Sequence, residues 1–242
     1  MSAAPVCEKI ALAADEFRQQ EMQILMLIDL HVHTAVSSPC SQIDPIQLIK
    51  VASTTALDAI CVTEHEETEG AEVAWRLGTE SGFPVLRGIE IYTDLGDVLL
   101  FGPARSSYPT RTPFCELLAE VRESGGVLIL CHPCRGAHDL FDTMKPETAD
   151  FLLSNIDAVE TRNGGTTPVA NGTAEAMAAR YGLPGVGGSD AHFLMQLGRC
   201  LTIFERDING EDDLVREIKA GRCRAVSASE IEQNVMPEFR RL

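Results

Sequence analysis

The chain is poor in positive charge. Against 36 Asp and Glu stand 20 Lys and Arg, a formal net charge of −16 over 242 residues, with an isoelectric point near 4.7. Such a surface repels nucleic acid at long range, so stable binding to duplex is not expected. It leaves an anionic small substrate open, because a bound metal ion can dominate the local field. Also missing is any apolar run near the ~20 residues that a membrane-spanning helix needs. Glu8, Asp15 and Glu16 precede any strong apolar run, a layout unlike that of a signal peptide. A cytoplasmic protein without a membrane partner is the expectation. There is no internal repeat and no low-complexity tract. A second C-x-x-C pair is absent too: Cys131-His132-Pro133-Cys134 stands alone, where a structural zinc site would want two. The eight cysteines are dispersed, and several lie in apolar, strand-like runs, which reads as reduced thiols in the core. A redox pair is the alternative for Cys131 and Cys134.

What is present suits a sizeable core: 45% of residues are hydrophobic and the mean hydropathy is +0.01. Residues 1–23 read as a short helical extension and 24–242 as one domain. Short apolar runs predict strands near Leu57–Val62, Pro84–Ile89, Val98–Phe101, Val127–Leu130, Asp157–Thr161, Leu183–Gly187 and Cys200–Phe204, after a first strand that begins at Ile24. Helical spacing or capping predicts helices from Asp44-Pro45 and over Glu69–Ser81, Phe114–Ser124, Val169–Tyr181 and Asp212–Ala220. Strand and helix alternate, which argues a parallel α/β fold. Seven or so strands fit a closed or distorted barrel better than an open sheet. In such barrels the chemistry sits at the carboxyl ends of the strands.

The first strand runs Ile24 to Ile28 and then Asp29-Leu30-His31-Val32-His33. Residues two apart share a face of a strand, so Asp29, His31 and His33 point one way. Two imidazoles at the end of a buried strand have metal-ligand geometry, and the acid could orient a ligand. A polar strand end with two satisfied histidines is the alternative. His65, Glu90, His132, Asp190 and His192 also fall at carboxyl ends of predicted strands, five strands in all, while His138 falls in mid-loop. Together the seven residues could hold two or three divalent ions. Asp190-Ala191-His192 repeats the spacing of His31-Val32-His33, and Glu90 offers two oxygens that could bridge ions.

These residues resemble a known family. Asp29-Leu-His-Val-His33, Thr63-Glu-His65, Gly88-Ile-Glu90, Cys131-His-Pro133 and Gly188-Ser-Asp-Ala-His192 are similar, in kind and order, to the motifs of the polymerase and histidinol phosphatase (PHP) family, over roughly residues 24–228. The resemblance implies a distorted (β/α)7 barrel, similar to a TIM barrel, with a trinuclear metal centre and phosphoesterase activity. It also implies that His31, His33, Glu90 and Asp190 ligate a first ion, Glu90 and His132 a second, and His65 and His192 a third. Glu160-Thr-Arg-Asn163 is similar to the family's acid-and-asparagine strand, with a structural or ligand-orienting role. Two departures matter. Family members usually carry an Asp or His a few residues after the second histidine; here the stretch is Val36-Ser-Ser-Pro-Cys40, with Ser38 and no carboxylate or imidazole, so that Cys40 could ligate as a thiolate or a water could fill in. The family often has a His some way after the bridging Glu; here Asp97 stands seven residues on.

The expected ions are zinc, manganese or iron, with magnesium open, and an aspartate at 97 would favour the harder ones. The expected chemistry is hydrolysis of a phosphate ester of a small molecule, nucleotide or short oligonucleotide by a metal-activated hydroxide, with Asp190 or His192 relaying a proton. Arg135 and Arg199, in loops at the predicted active rim, and Arg162 beside Asn163 are the cations that could meet the phosphate. A C–N hydrolase of the amidohydrolase type and a non-catalytic metal-binding scaffold are the alternatives. The barrel lysine usual in amidohydrolases is not evident among Lys9, Lys50, Lys145 and Lys219.

Overall fold

The structure, a computed structural model, describes residues 25–135 and 144–235. The helical extension expected over residues 1–23 lies outside them, as do Cys7 and His138. Nine strands form one sheet: β1 (Met26–Val32), β2 (Ala59–His65), β3 (Val85–Thr93), β4 (Gly96–Phe101), β5 (Val127–Leu130), β6 (Ala158–Asn163), β7 (Gly185–Gly188), β8 (Cys200–Phe204) and β9 (Cys223–Ser227). Their order is β7-β6-β5-β4-β3-β2-β1-β8-β9. The helices are α1 (Pro45–Ala52), α2 (Glu69–Ser81), α3 (Phe114–Ser124), α4 (Pro146–Leu153), α5 (Pro168–Tyr181), α6 (Glu211–Lys219) and α7 (Ala228–Val235). No helix among the described residues is long and apolar enough to cross a membrane.

The local signals behave as their chemistry requires. Asp44 caps α1, accepting from Gln47 N at 3.0 Å, with Pro45 in the first turn. Gly82 and Gly125 end α2 and α3 at φ 76° and 83°, a left-handed conformation that costs a glycine nothing. The four residues of β5 are all buried, as expected of a strand covered on both faces.

The sheet curls into a nearly closed barrel. β1 pairs with β2 in parallel and with β8 antiparallel near its start. At its end it meets the segment after β7: Asp190 N donates to His31 O at 2.7 Å and His33 N to Ala191 O at 3.1 Å. β7 is held to β8 by one side chain, Thr202, whose hydroxyl accepts from Gly187 N at 2.8 Å and donates to Gly187 O at 2.9 Å. All nine strands send side chains into one buried cluster with Leu214 and Ile218 of α6, including Ile28, Cys61, Leu99, Phe101, Ile129, Val186 and Phe204. That cluster is the barrel interior. Two further clusters pack the outer faces against α1 and α2, and against α3, α4 and α5.

The barrel expected from the alternation of elements is present, but the sheet is not wholly parallel. β4 runs antiparallel to both β3 and β5, because Tyr92↔Asp97 and Thr93↔Gly96 close a hairpin over Asp94 and Leu95. Gly96 and Asp97 therefore begin the strand, two residues ahead of the apolar run Val98–Phe101 that marks it in the sequence. β9 follows α6 and pairs antiparallel with β8 along its whole length; its sequence, CRAVS, has no apolar run to announce it.

Candidate metal centre

Four of the expected site residues converge at the end of β1. His31 Nε2 and His33 Nε2 lie 3.0 Å apart. Each faces the same two oxygens: Glu90 Oε2, at 3.2 and 3.1 Å, and Asp190 Oδ1, at 3.6 and 3.4 Å. All four residues are buried. Glu90, in β3, is the hub. Its Oε2 also meets His65 Nδ1 at 3.1 Å, while its Oε1 meets His132 Nε2 at 2.9 Å and Cys131 Sγ at 3.5 Å. His33, His65 and His192 bring their nitrogens together as a further group, with ring centroids of His33 4.3 Å from His65 and 4.5 Å from His192.

The backbone bends to make this possible. Four non-glycine described residues have positive φ, and two are His132, at 31°, and Asp190, at 52°. A third, Glu66, at 55°, follows His65 directly. Left-handed backbone at side chains other than glycine is strained and clusters at functional sites. The β1 ladder also slips register between Asp29 and Val32.

A layer behind these groups orients them. Glu160 in β6 faces His31 Nδ1 at 3.1 Å and accepts from His132 N at 2.9 Å and from Asn163 Nδ2 at 2.8 Å. This is the carboxylate–imidazole arrangement that fixes a ligating ring. Asp29 does something other than orient a ring. It is buried and accepts from Ser189 N at 2.8 Å, Gly198 N at 3.0 Å and His31 N at 3.3 Å. It thus ties β1 to the loop that carries Asp190 and His192, and burial raises its pKa to about 6.

The Val36–Cys40 stretch supplies an orienting residue and not a carboxylate. Ser38 Oγ lies 3.3 Å from His33 Nδ1, accepts from His65 N at 3.2 Å and donates to Glu64 Oε2. Glu64, fully buried, also accepts from Thr34 N and Oγ1. Neither role is announced by the sequence: Glu64 is seen only as the middle of Thr-Glu-His, and Ser38 only as a residue that cannot replace a carboxylate. Cys40 and Asp97 fall outside every convergent group of three or more ligand-type residues among those described. Cys40 is exposed, and Asp97 Oδ2 is 3.9 Å from His132 Nδ1, the ring nitrogen turned away from Glu90.

The electrostatics are those of a site short of positive charge. Burial pushes the His31 pKa down, but the Glu90 and Glu160 carboxylates outweigh it and hold the value at about 10. Glu90 is held well below the usual carboxylate range by His31, His132 and His33 in spite of burial. His33 and His192 go the other way, through burial and neighbouring imidazoles, His192 to about 4. Without a cation, this cluster keeps a proton where imidazole lone pairs and carboxylates face one another.

The arginines divide. Arg135 pairs with Asp190 Oδ2 and lies 3.4 Å from Asn163 Oδ1, with 42% of its side chain exposed, so it stands at the mouth of the cluster. Arg162 is committed to Glu230 and Glu175 at 3.0 Å each. It lines, with exposed Arg199, a groove of about 480 Å³ beside the cluster that Asn163 and Gly164 also border.

Comparison with known proteins follows the same lines. Residues 29–158, more than half the chain, match the family model described as PHP domain, and residues 168–223 match one described as PHP-associated. An uncharacterised protein of Methanocaldococcus jannaschii is 30% identical over 198 residues, 78% of this chain and 75% of the relative. Among solved structures, a two-domain protein of Bacteroides vulgatus, described as containing a predicted PHP-like metal-dependent phosphoesterase, superposes with a TM-score of 0.69 at 20% identity, over 85% of this chain; the chain spans 65% of that protein. PsfC from Pseudomonas syringae gives 0.63 at 21% identity, over 90% of this chain and 98% of the other. The lesion-specific endonuclease Q of Pyrococcus furiosus gives 0.61 at 16% identity, over 84% and 58%. Likenesses at these identities speak for the fold. With the motif residues gathered at one end of that fold and more than half the sequence matched, the chain belongs to the PHP domain family.

Proposed function

We propose that the protein is a metal-dependent hydrolase that cleaves a phosphate ester of a small molecule, nucleotide or short oligonucleotide. The observation that carries this reading is Glu90: one carboxylate whose two oxygens face two different sets of nitrogen ligands. The donor set fits divalent cations. It mixes imidazole nitrogens with carboxylate oxygens, is buried, and holds a proton on His31 in the absence of a counter-charge. In this reading His31, His33, Glu90 and Asp190 hold one ion, Glu90 and His132 a second, and His65 and His192, with His33 near them, a third.

Bound there, divalent ions would supply Lewis acidity toward a phosphoryl oxygen and toward water. The chain's own groups do the rest. Glu160 and Ser38 fix the rings of His31 and His33, so the nitrogens that face the cluster do not have to be reoriented on binding. Arg135, at the mouth, presents a planar fork that suits two phosphate oxygens and leaves Asp190 when it takes them. Burial and three imidazoles hold the His192 pKa down, so its ring is neutral at physiological pH and keeps a lone pair for a cation. Asp190, whose Oδ2 is released when Arg135 moves to the phosphate, is the residue that can relay a proton.

The test is metal analysis of purified protein, then a screen of phosphomonoesters, nucleotides, short oligonucleotides and amides with added zinc or manganese. At least two ions per chain and turnover of a phosphate ester are expected, with activity lost in Glu90→Gln. Turnover of an amide and of no phosphate ester would overturn the assignment.

A further inference from the structure

Cys131 is almost fully buried at the end of β5, and its thiol donates to Glu90 Oε1 across 3.5 Å. His132 Nε2 meets the same oxygen at 2.9 Å. Adjacent residues of an extended strand point to opposite faces. Here the left-handed turn at His132, φ 31°, breaks the alternation and aims both side chains at one carboxylate oxygen. The sulfur, the nitrogen and the oxygen lie within 4.8 Å of one another. A thiol that only filled space would not need this aim. Cys61 and Cys223, the other cysteines in the same buried cluster, join no such group among the described residues.

The residue that the family pattern suggests for this position is Asp97, and it stands on the wrong side. Its carboxylate is 3.9 Å from His132 Nδ1, across the ring from Glu90. That suits a group that orients the imidazole. The third ligand-type atom grouped with Glu90 and His132 is instead the Cys131 sulfur, while His132 also converges with His31 and Asp190 toward the neighbouring position.

We propose that Cys131 is a protein ligand of the cation held by Glu90 and His132, an assignment that rests on the metal-dependent reading of the site. On binding, the S–H bond breaks, a sulfur–metal bond forms and the proton leaves to solvent; no electron is transferred. A thiolate donor selects zinc or ferrous iron over magnesium or manganese at this position, the reverse of what an aspartate ligand would favour.

The experiment is X-ray absorption at the zinc edge on the full zinc-loaded chain, with cobalt-loaded protein read in the near ultraviolet for thiolate charge transfer. A sulfur scatterer at about 2.3 Å and a charge-transfer band are expected in the wild type. Both should vanish in Cys131→Ser and persist in Cys61→Ser. A wild-type spectrum with nitrogen and oxygen scatterers only overturns the proposal, and so does a sulfur signal that survives in Cys131→Ser. The wild-type spectrum decides even if the serine variant does not fold, and Cys131→Ala is a second removal. Sulfur ligation without hydrolysis of any phosphate ester would keep this proposal and overturn the function proposed above. Hydrolysis with sulfur-free zinc would do the reverse. A chain that takes up no zinc overturns this proposal, and one that takes up no divalent ion at all overturns both.

Discussion

His31 is a buried imidazole set between two carboxylates, Glu90 and Glu160. Burial alone would make it hard to charge, yet Glu90 and Glu160 hold its pKa at about 10. A histidine whose folded pKa is raised stabilises the fold fully below its unfolded pKa, near 6.5, and that stabilisation is lost as pH rises through the folded value. Metal-free protein should therefore lose stability as pH goes from about 6.5 toward 10, seen as a falling urea midpoint. Zinc-loaded protein should not, because the ligand is already deprotonated. Zinc binding at pH 7.5 should release protons, measurable by calorimetry in buffers of different ionisation enthalpy. An upward drift of the metal-free midpoint over that range would refute the account. Glu160 acts one step further out. Glu160→Gln keeps the shape but weakens the hold on His31 Nδ1 and the His132 amide, so zinc affinity by chelator competition should fall about 10–100-fold. The candidate ligands at this scale were legible as spacing: a D-x-H-x-H after an apolar run, and His65, Glu90, His132, Asp190 and His192 at the ends of four further predicted strands. Ser38, Glu64 and Cys131 were not. Their roles depend on which neighbour they meet across the barrel, and on a left-handed turn at His132 that no composition rule announces.

Elements matter here through how closely they approach. β7 reads Gly185-Val186-Gly187-Gly188 and has no room for more. A Cβ on Gly188 would sit 2.4 Å from His31 Cβ and 2.9 Å from Glu160 Oε1; one on Gly187 would sit 2.3 Å from Leu201 O. Gly188→Ala should cost about 1–3 kcal/mol of stability and lower metal content, because the strand can yield only by pushing His31. Thr202 supplies the bonds that backbone pairing would otherwise make to Gly187. Thr202→Val leaves a buried N–H and C=O without partners and should cost about 1–3 kcal/mol, read as a lower urea midpoint, with the ligands themselves untouched. If Gly188→Ala bound zinc like the wild type while Thr202→Val did not, the division of labour argued here would be reversed. Strand positions could be read from apolar runs, because each run is one buried strand. Strand direction could not. Period-two or continuous apolarity is the same in either sense, so the β3–β4 hairpin and the antiparallel β8–β9 pair stay hidden until the turn Asp94-Leu95 and the return from α6 are seen. β9 escapes for a second reason: Arg224 is exposed and Ala225 and Ser227 are only half-buried, so its sequence looks like a loop.

The whole molecule sets a field that works against its proposed substrate. The formal charge is −16, and two or three divalent ions add at most six positive charges, leaving about −10. An anionic ester must approach through this repulsion before Arg135 and the bound ions can act on it at short range. The repulsion is long-ranged at low salt, where the Debye length is about 30 Å at 0.01 M, and is mostly screened at 0.15 M, where it is about 8 Å. The contacts inside the cluster are buried and feel salt far less. Raising ionic strength over that range should therefore increase kcat/KM for a doubly charged phosphomonoester, increase it less for a singly charged diester, and leave an uncharged substrate analogue's binding unchanged. This is the opposite of the usual decline seen when a basic protein attracts an anion. A kcat/KM that fell with added salt would mean that local positive charge at the mouth reaches further than the acidic surface, and that the approach is steered and not opposed.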